Sequence, residues 1–401
     1  MNPSATASPP ASNRLVSVDA YRGFVMLLMM GEVLRLSAVA RALPDSGFWS
    51  VLAFHQSHVE WIGCSLHDMI QPSFSFLVGV ALPFSIASRR ARGQGMAGLA
   101  SHAVIRALLL IGLGIFLRST GKPMTNFTFE DTLTQIGLGY VFLFFLGFRP
   151  VRDQWIALGL VLTGYWLFFA LRPLPGADFD YAAVGVGSEF LKDHGLTGFA
   201  AHWQKNANAA SAFDQWFMNL FPRVKPFVAN GGGYLTLSFI PTLGTMILGL
   251  IAGGVLKSDR LPAAKVRWLG IAGLALLGAG WLLGASGLCP VVKRIWTPSW
   301  ALFSGGWCCL FLATFYTVTD WRGWKAWTFP LMVVGMNSIA AYCMEHLFSG
   351  FLGGAIRTHL PDGLFQSLGA AYEPLLRGGA LLVVLWLILL WMWRRKIFLR
   401  I

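Results

Sequence analysis

The sequence predicts an all-α polytopic membrane protein of about ten transmembrane helices, with both termini cytoplasmic and one long periplasmic loop. Three observations carry that prediction. Hydrophobic residues make up 55% of the chain and charged residues only 12%, about half the charged share of a soluble domain. The apolar residues cluster in long runs, such as LLVVLWLILLWMW at Leu381–Trp393 and LMVVGMNSIAAYCM at Leu331–Met344. The basic residues collect in short connections between alternate runs.

Taken in order, MNPSATASPPASN over residues 1–13 is Pro- and Ser-rich. It lacks the basic start, apolar centre and cleavage site of a signal peptide, so a disordered cytoplasmic tail is expected. A single transmembrane domain follows over 14–401. Its spans are predicted at roughly 16–37, 66–88, 102–118, 131–148, 154–171, 236–256, 267–286, 300–318, 327–348 and 374–393. The connections after even-numbered spans hold Arg89, Arg90 and Arg92, then Arg149 and Arg152, then Lys257, Arg260, Lys265 and Arg267, then Arg322 and Lys325. The positive-inside rule places these in the cytoplasm. The connection over 172–235 is then periplasmic, with a short helix expected near Asp214–Leu220 and a flexible turn at NGGGY, Asn230–Tyr234.

The net charge of +13 follows from those loops. No basic stripe interleaves with aromatic residues, so nucleic-acid binding is not expected. Five cysteines, Cys64, Cys289, Cys308, Cys309 and Cys343, include no C-x-x-C pair, which argues against a disulfide framework or a zinc site.

An ionisable residue inside a span costs at least ~2.5–3.5 kcal/mol, so each one calls for a reason. The first span holds Asp19, Arg22 and Glu32. Asp19 and Arg22 are spaced to pair on one helix face; the alternative is that Arg22 meets an anionic ligand. Glu32 has no local partner. The stretch FHQSHVEWIGCSLHDMIQPSFSFLVG at 54–79 brings together His55, His58, Glu60, His67 and Asp68. Their spacing fits no zinc motif, whereas histidine is the usual general base. Pro72 is expected to break the helix at the carbonyl of residue 68, where the chain lines a polar cavity. Further polar groups stand in DTLTQIGLGY (Gln135), CPVVKRIWTPSW (Lys293, Trp296, Ser299) and VGMNSIAAY (Asn337). They either bond between helices or face a pocket.

RLVSVDAYRG, SHVEWIGCSLHDMIQPSFSFLVG, TQIGLGY, KRIWTPSW and VGMNSIAAY occur in the order and spacing of one family. From about Arg14 to its end the chain resembles the heparan-alpha-glucosaminide N-acetyltransferase family and its bacterial relatives in the transmembrane acyltransferase superfamily, most weakly over 172–235. The resemblance implies a CoA-dependent acyltransferase of the bacterial inner membrane. It would move an acetyl group from cytoplasmic acetyl-CoA to an amine or hydroxyl of a periplasmic sugar or glycan, with no metal. It also implies that His58 is the catalytic histidine, ahead of Trp61, Gly63, Asp68, Pro72, Phe74 and Phe76. Where the family has an asparagine late in the first span, this chain has Gly31, Glu32 and Val33, and Glu32 is the nearest polar substitute.

On this reading His58 takes a proton from the attacking nucleophile, and Asp68 or Glu32 orients its ring. Direct transfer and an acyl-histidine intermediate are equally compatible with these residues. The donor is expected to be held by Arg22, Gln135, Lys293, Trp296, Ser299 and Asn337, with Arg22 and a loop arginine on the CoA phosphates and Lys293 or Asn337 at the developing oxyanion. The expected partners are acetyl-CoA, the acceptor glycan and the lipid bilayer, with a homodimer as an option. Two other classes fit the buried charges: a secondary transporter of a small polar or anionic solute, and a structural membrane protein.

Overall fold

The computed structural model describes residues 15–399, so the expected tail over 1–13 lies outside the described residues. Among the described residues regular structure is helical, apart from one isolated antiparallel bridge between Ile62 and Val292. The chain is an all-helical, multi-pass membrane protein. Among the described residues seven helical stretches are long and apolar enough to cross a bilayer: His67–Ala91, Met96–Ser119, Thr236–Lys257, Pro262–Ala285, Pro298–Trp321, Ser338–His359 and Ala370–Arg394. Val16–Leu34 and Leu36–Ala42 form an eighth if taken as one span bent by 43°. The bend falls at Arg35, whose φ of 52° is left-handed and interrupts the helical ladder.

The α-helices of the first half are α1 (Val16–Met30), α2 (Leu36–Ala42), α3 (Gly47–His55), α4 (Ile70–Ala91), α5 (Met96–Ser119), α6 (Thr132–Leu146) and α7 (Val151–Ala170). After α8 (Ser188–His194) and α9 (Ala209–Phe217) come α10 (Phe239–Lys257), α11 (Pro262–Ala285), α12 (Pro298–Phe315), α13 (Phe329–Gly335), α14 (Ser338–His359), α15 (Asp362–Phe365) and α16 (Glu373–Arg394). Every expected span therefore contains a helix, but α6 rises only about 22 Å over its length, less than the hydrocarbon core.

Two expectations are corrected. The span expected over 327–348 is not continuous: α13 stops at Gly335, and α14 restarts at Ser338 and runs to His359. Gly335 lies so close to α1 that a Cβ there would overlap the Asp19 carbonyl. Asn337 then turns its side chain to the chain end, donating to the Ile397 carbonyl at 3.0 Å and accepting from Leu399 N–H at 3.3 Å. Nor does Pro72 break a helix. It is the third residue of α4, preceded by a 3₁₀ turn at His67–Met69, and first-turn N–H groups lack intrahelical partners in any case.

The centre of the bundle is α10 crossed by α4. In Thr236–Lys257, 83% of the most apolar stretch is buried against protein, against 17% in the peripheral Pro262–Ala285. Gly79 and Gly249 allow the crossing: a Cβ on either would collide with the other helix's backbone, at the Met246 and Phe76 carbonyls. Close approach through small residues is how helices pack where lipid supplies no hydrophobic drive.

The basic connections meet at one end. Arg90 stacks on Phe148 at 4.8 Å, joining the end of α4 to the α6–α7 turn, and Lys257 Nζ at the end of α10 donates to the Pro83 carbonyl of α4 at 3.1 Å. At the other end, the 172–235 segment folds over the bundle. Trp203, Ala210 and Leu235 pack with Trp61, Tyr165, Phe169, Val292 and Ile295 in a second apolar cluster. The helix expected near 214–220 begins earlier, because Asn208 caps Ala209–Phe217 by accepting from Ala210 and Ser211 N–H.

Candidate active site

Three loops converge at the end away from the basic turns. The loop over 56–66 is pinned to the loop before α12 by the Ile62–Val292 bridge and by Gly63 N–H donating to the Val291 carbonyl at 3.1 Å. Arg294 donates to the Gly232 carbonyl at 2.8 Å and lies 5.3 Å from the Tyr234 ring, drawing in the glycine-rich turn. Trp296, at φ 48°, closes the tight turn that carries Lys293, and its N–H donates to the Lys293 carbonyl at 2.9 Å. A left-handed tryptophan is strained. Its indole is held by Thr245 Oγ1 at 3.1 Å.

Asp68 organises this junction. Its fully buried carboxylate accepts from Val59 N–H at 3.2 Å and Ser65 N–H at 3.0 Å on Oδ2, and from His58 Nδ1 at 2.8 Å on Oδ1. Ser65 Oγ stands 3.0 Å from Oδ2, but its single proton has a nearer acceptor, the Ser57 carbonyl at 2.6 Å. A carboxylate ringed by donors leaves His58 Nδ1 carrying its proton, so Nε2 presents a lone pair. Lys293, only 5% exposed, lies 3.4 Å from Asp68 Oδ1 and flanks the imidazole at 3.0 Å from Nδ1 and 3.4 Å from Nε2. Because Nδ1–H points at Asp68, the ammonium protons serve Oδ1, the Nε2 side and the open space beyond.

That space is a cavity of about 480 Å³, here the histidine chamber. His58, His67, Glu32, Lys293, Glu130 and Tyr342 are among its walls. Glu32 Oε1 pairs with His67 Nε2 at 3.0 Å, and the His67 ring is 4.5 Å from that of His58. A second cavity of about 340 Å³, the arginine chamber, is lined by Arg22, Arg89, His102 and Arg106. Phe74, Thr132 and Tyr342 line both chambers and form the partition between them. Tyr342 is latched there, donating to Asp131 Oδ2 at 2.7 Å, which also accepts from Arg118 Nε at 3.1 Å.

The chambers lie in tandem along the helices. On α4 the lining passes from Ile70 and Gln71 through Phe74 to Val78 and Ala81, and on α1 from Met29, with Glu32 just beyond its end, to Met26 and Arg22. The nineteen steps from Ile70 to Arg89 rise about 28 Å, close to a hydrocarbon thickness of roughly 30 Å.

No family model matches the chain. It is similar to heparan-alpha-glucosaminide N-acetyltransferase of Homo sapiens, 25% identical over 383 residues that cover 86% of this chain and 54% of the relative. The Mus musculus protein of the same name is 23% identical over 378 residues, 85% of this chain and 54% of the relative. Over most of its length the chain is thus similar to heparan-alpha-glucosaminide N-acetyltransferase. It spans about half the length of the curated relatives it matches.

The residues singled out in the sequence divide into two groups. His58, Asp68 and Lys293 meet directly, Glu32 joins them through His67, and Arg22 lines the arginine chamber while donating to Asp19 at 3.1 Å. Gln135, Trp296, Ser299 and Asn337 are buried outside the linings of both chambers and are used structurally. Gln135 donates to the carbonyls of Phe129 at 2.6 Å and Thr236 at 3.0 Å; Ser299 donates to that of Pro290 at 2.7 Å. In this structure their polar atoms tie loops to helices rather than facing either chamber.

Sequence reasoning missed Arg106, Arg118, Glu130 and Tyr342. Arg106 stood inside an expected span, so the rule that flagged Arg22 would have found it. Outside the spans, partial burial lowers the affinity of His58 for a proton. Its bond to Asp68 opposes that and Lys293 reinforces it. Burial pushes the Cys64 thiol up to about 12, so it stays protonated and is no rival nucleophile. Burial also raises the Glu130 carboxyl.

Proposed function

We propose that the chain transfers an acetyl group from acetyl-CoA, entering at the basic end, to an amine or hydroxyl of a sugar or glycan at the other end. The observation that supports this reading is the pair of chambers: a basic nitrogen set by Asp68 and Lys293 in one, three arginines in the other, and a thin partition between. By the positive-inside rule the arginine chamber faces the cytoplasm of a bacterial inner membrane. Arg22, Arg89 and Arg106 hold the CoA phosphates, and the pantetheine arm passes Phe74 and Tyr342. In the histidine chamber Nε2 of His58 takes the proton of the acceptor as its nitrogen or oxygen attacks the thioester carbonyl. The Lys293 ammonium faces the developing oxyanion. When the C–S bond breaks, the thiolate recovers the proton from His58 and CoA leaves as the thiol.

The test is binding of acetyl-CoA to the purified protein. The Arg89→Ala, Arg106→Ala double variant is expected to weaken it by roughly 10²- to 10⁴-fold, as two charge-assisted hydrogen bonds worth ~1.5–3 kcal/mol each are lost. No binding by the wild type, together with solute flux in proteoliposomes, would favour the transporter.

The pH profile gives an independent check. A lowered pKa keeps His58 a free base below the ordinary histidine value of about 6.5, so kcat/KM holds down to that lower pKa and falls beneath it. Lys293→Met removes a cation that opposes the imidazolium, which raises the pKa. The acid limb, measured with acetyl-CoA and glucosamine, is expected to move to higher pH. An unmoved limb would detach Lys293 from the titrating group.

A further inference from the structure

A third cavity, of about 630 Å³, lies between α14, α16 and the stretch that joins α1 to α2. Arg35, Arg357, Arg377, Asp362 and Glu373 line it. Arg377 is committed to both carboxylates, donating to Asp362 Oδ1 at 2.8 Å and Glu373 Oε1 at 2.7 Å. Arg35 and Arg357 are left with no anionic partner among the described residues, and the buried Arg377 Nε has no acceptor. These cations sit at the far end of α14 and the start of α16, opposite the basic turns, where topology alone supplies no reason for them. Cations that gather in a cavity against the charge bias call for an anion.

Two further features say which anion. Phe348, Phe351, Leu364 and Leu368 expose apolar side chains at this end of the chain, where acyl or polyprenyl tails would lie. The cavity also adjoins the histidine chamber: Glu32 lines one and its neighbour Val33 lines the other. On α14, His346 faces the first and Gly350 and Gly353 the second, about 6 and 10 Å further along the axis. A sugar in the histidine chamber and a phosphate among these arginines are thus one glycosyl phosphate apart.

We infer that this cavity seats the phosphate or diphosphate of a membrane-anchored acceptor, a lipid whose phosphate carries the sugar to be acetylated. The inference rests on the acyltransferase reading for its sugar but not for its anion. A free sugar phosphate has the same anion, and the exposed apolar side chains select the lipid-borne form.

The first test needs no turnover. Native mass spectrometry of the full chain in a non-ionic detergent would measure retention of dodecyl phosphate, with dodecanol and inorganic phosphate as comparisons. The wild type is expected to retain dodecyl phosphate selectively, and the Arg35→Ala, Arg357→Ala double variant to bind it at least tenfold more weakly. Unaltered acetyl-CoA affinity in that variant would show that it is folded. Undiminished dodecyl phosphate binding overturns the site, and equal affinity for inorganic phosphate overturns the lipid. The second test is the KM for glucosamine joined to a dodecyl chain through a phosphodiester, expected to rise at least tenfold in the variant with kcat held; an unchanged KM overturns the link to the acceptor. A wild type that binds dodecyl phosphate but acetylates no amine would instead sink the acyltransferase reading.

Discussion

Alanine in place of His58 is expected to lower transfer of labelled acetyl from acetyl-CoA to glucosamine by roughly 10²- to 10⁴-fold, the span supplied by general acid–base catalysis. The imidazole is 37% exposed, towards the chamber, and its other nitrogen is fixed by Asp68, so its loss removes the basic nitrogen without opening the core. Acetyl-CoA affinity is expected to hold, because the arginine chamber shares no lining contact with His58. Turnover within tenfold of the wild type would move the base elsewhere, and His67, with its ring 4.5 Å away, is the nearest replacement.

Asp68→Asn is expected to be nearly as damaging, by roughly 10³- to 10⁴-fold in kcat, as when the orienting carboxylate of a catalytic triad is neutralised. The substitution keeps the shape but puts an NH₂ group among donors. If that group faces His58, Nδ1 must accept and Nε2 carries the proton, which removes the lone pair from the chamber. If it faces Val59 and Ser65, their N–H groups lose their acceptor. Either way the buried Lys293 ammonium loses its anion, and breaking such a pair costs about 3–5 kcal/mol. A falling melting temperature together with falling kcat is therefore expected. A variant that melts early but turns over normally would reduce Asp68 to a purely structural role.

Much of this was legible because it is local. Hydropathy is summed residue by residue, so the spans could be read from composition along the chain. His58 and Asp68 are ten residues apart, so Asp68 could be named beside Glu32 as a candidate partner of that imidazole. The sequence could not sort these polar residues, because the same residue type serves two purposes. Asn337 and Gln135 are polar residues in or beside spans, as Arg22 is, yet their hydrogen bonds run to the carbonyls of Ile397 and Thr236. A buried amide needs partners whether or not a substrate is near, and the sequence does not show which partners it finds.

By itself, then, the sequence determined a multi-pass helical bundle, a charge asymmetry between its ends and a histidine–carboxylate pair beside the second span. The folded chain decided what that pair can reach. Lys293 comes to His58 across 235 positions, Tyr342 and Asp131 across 211, and α1, α4, α5, α6 and α14 enclose two chambers that no single segment encodes. The physical reason is that a cavity is the space left between packed helices. It depends on where their small residues let backbones touch, as at Gly79 and Gly249, and that property belongs to pairs of surfaces rather than to any one stretch of chain.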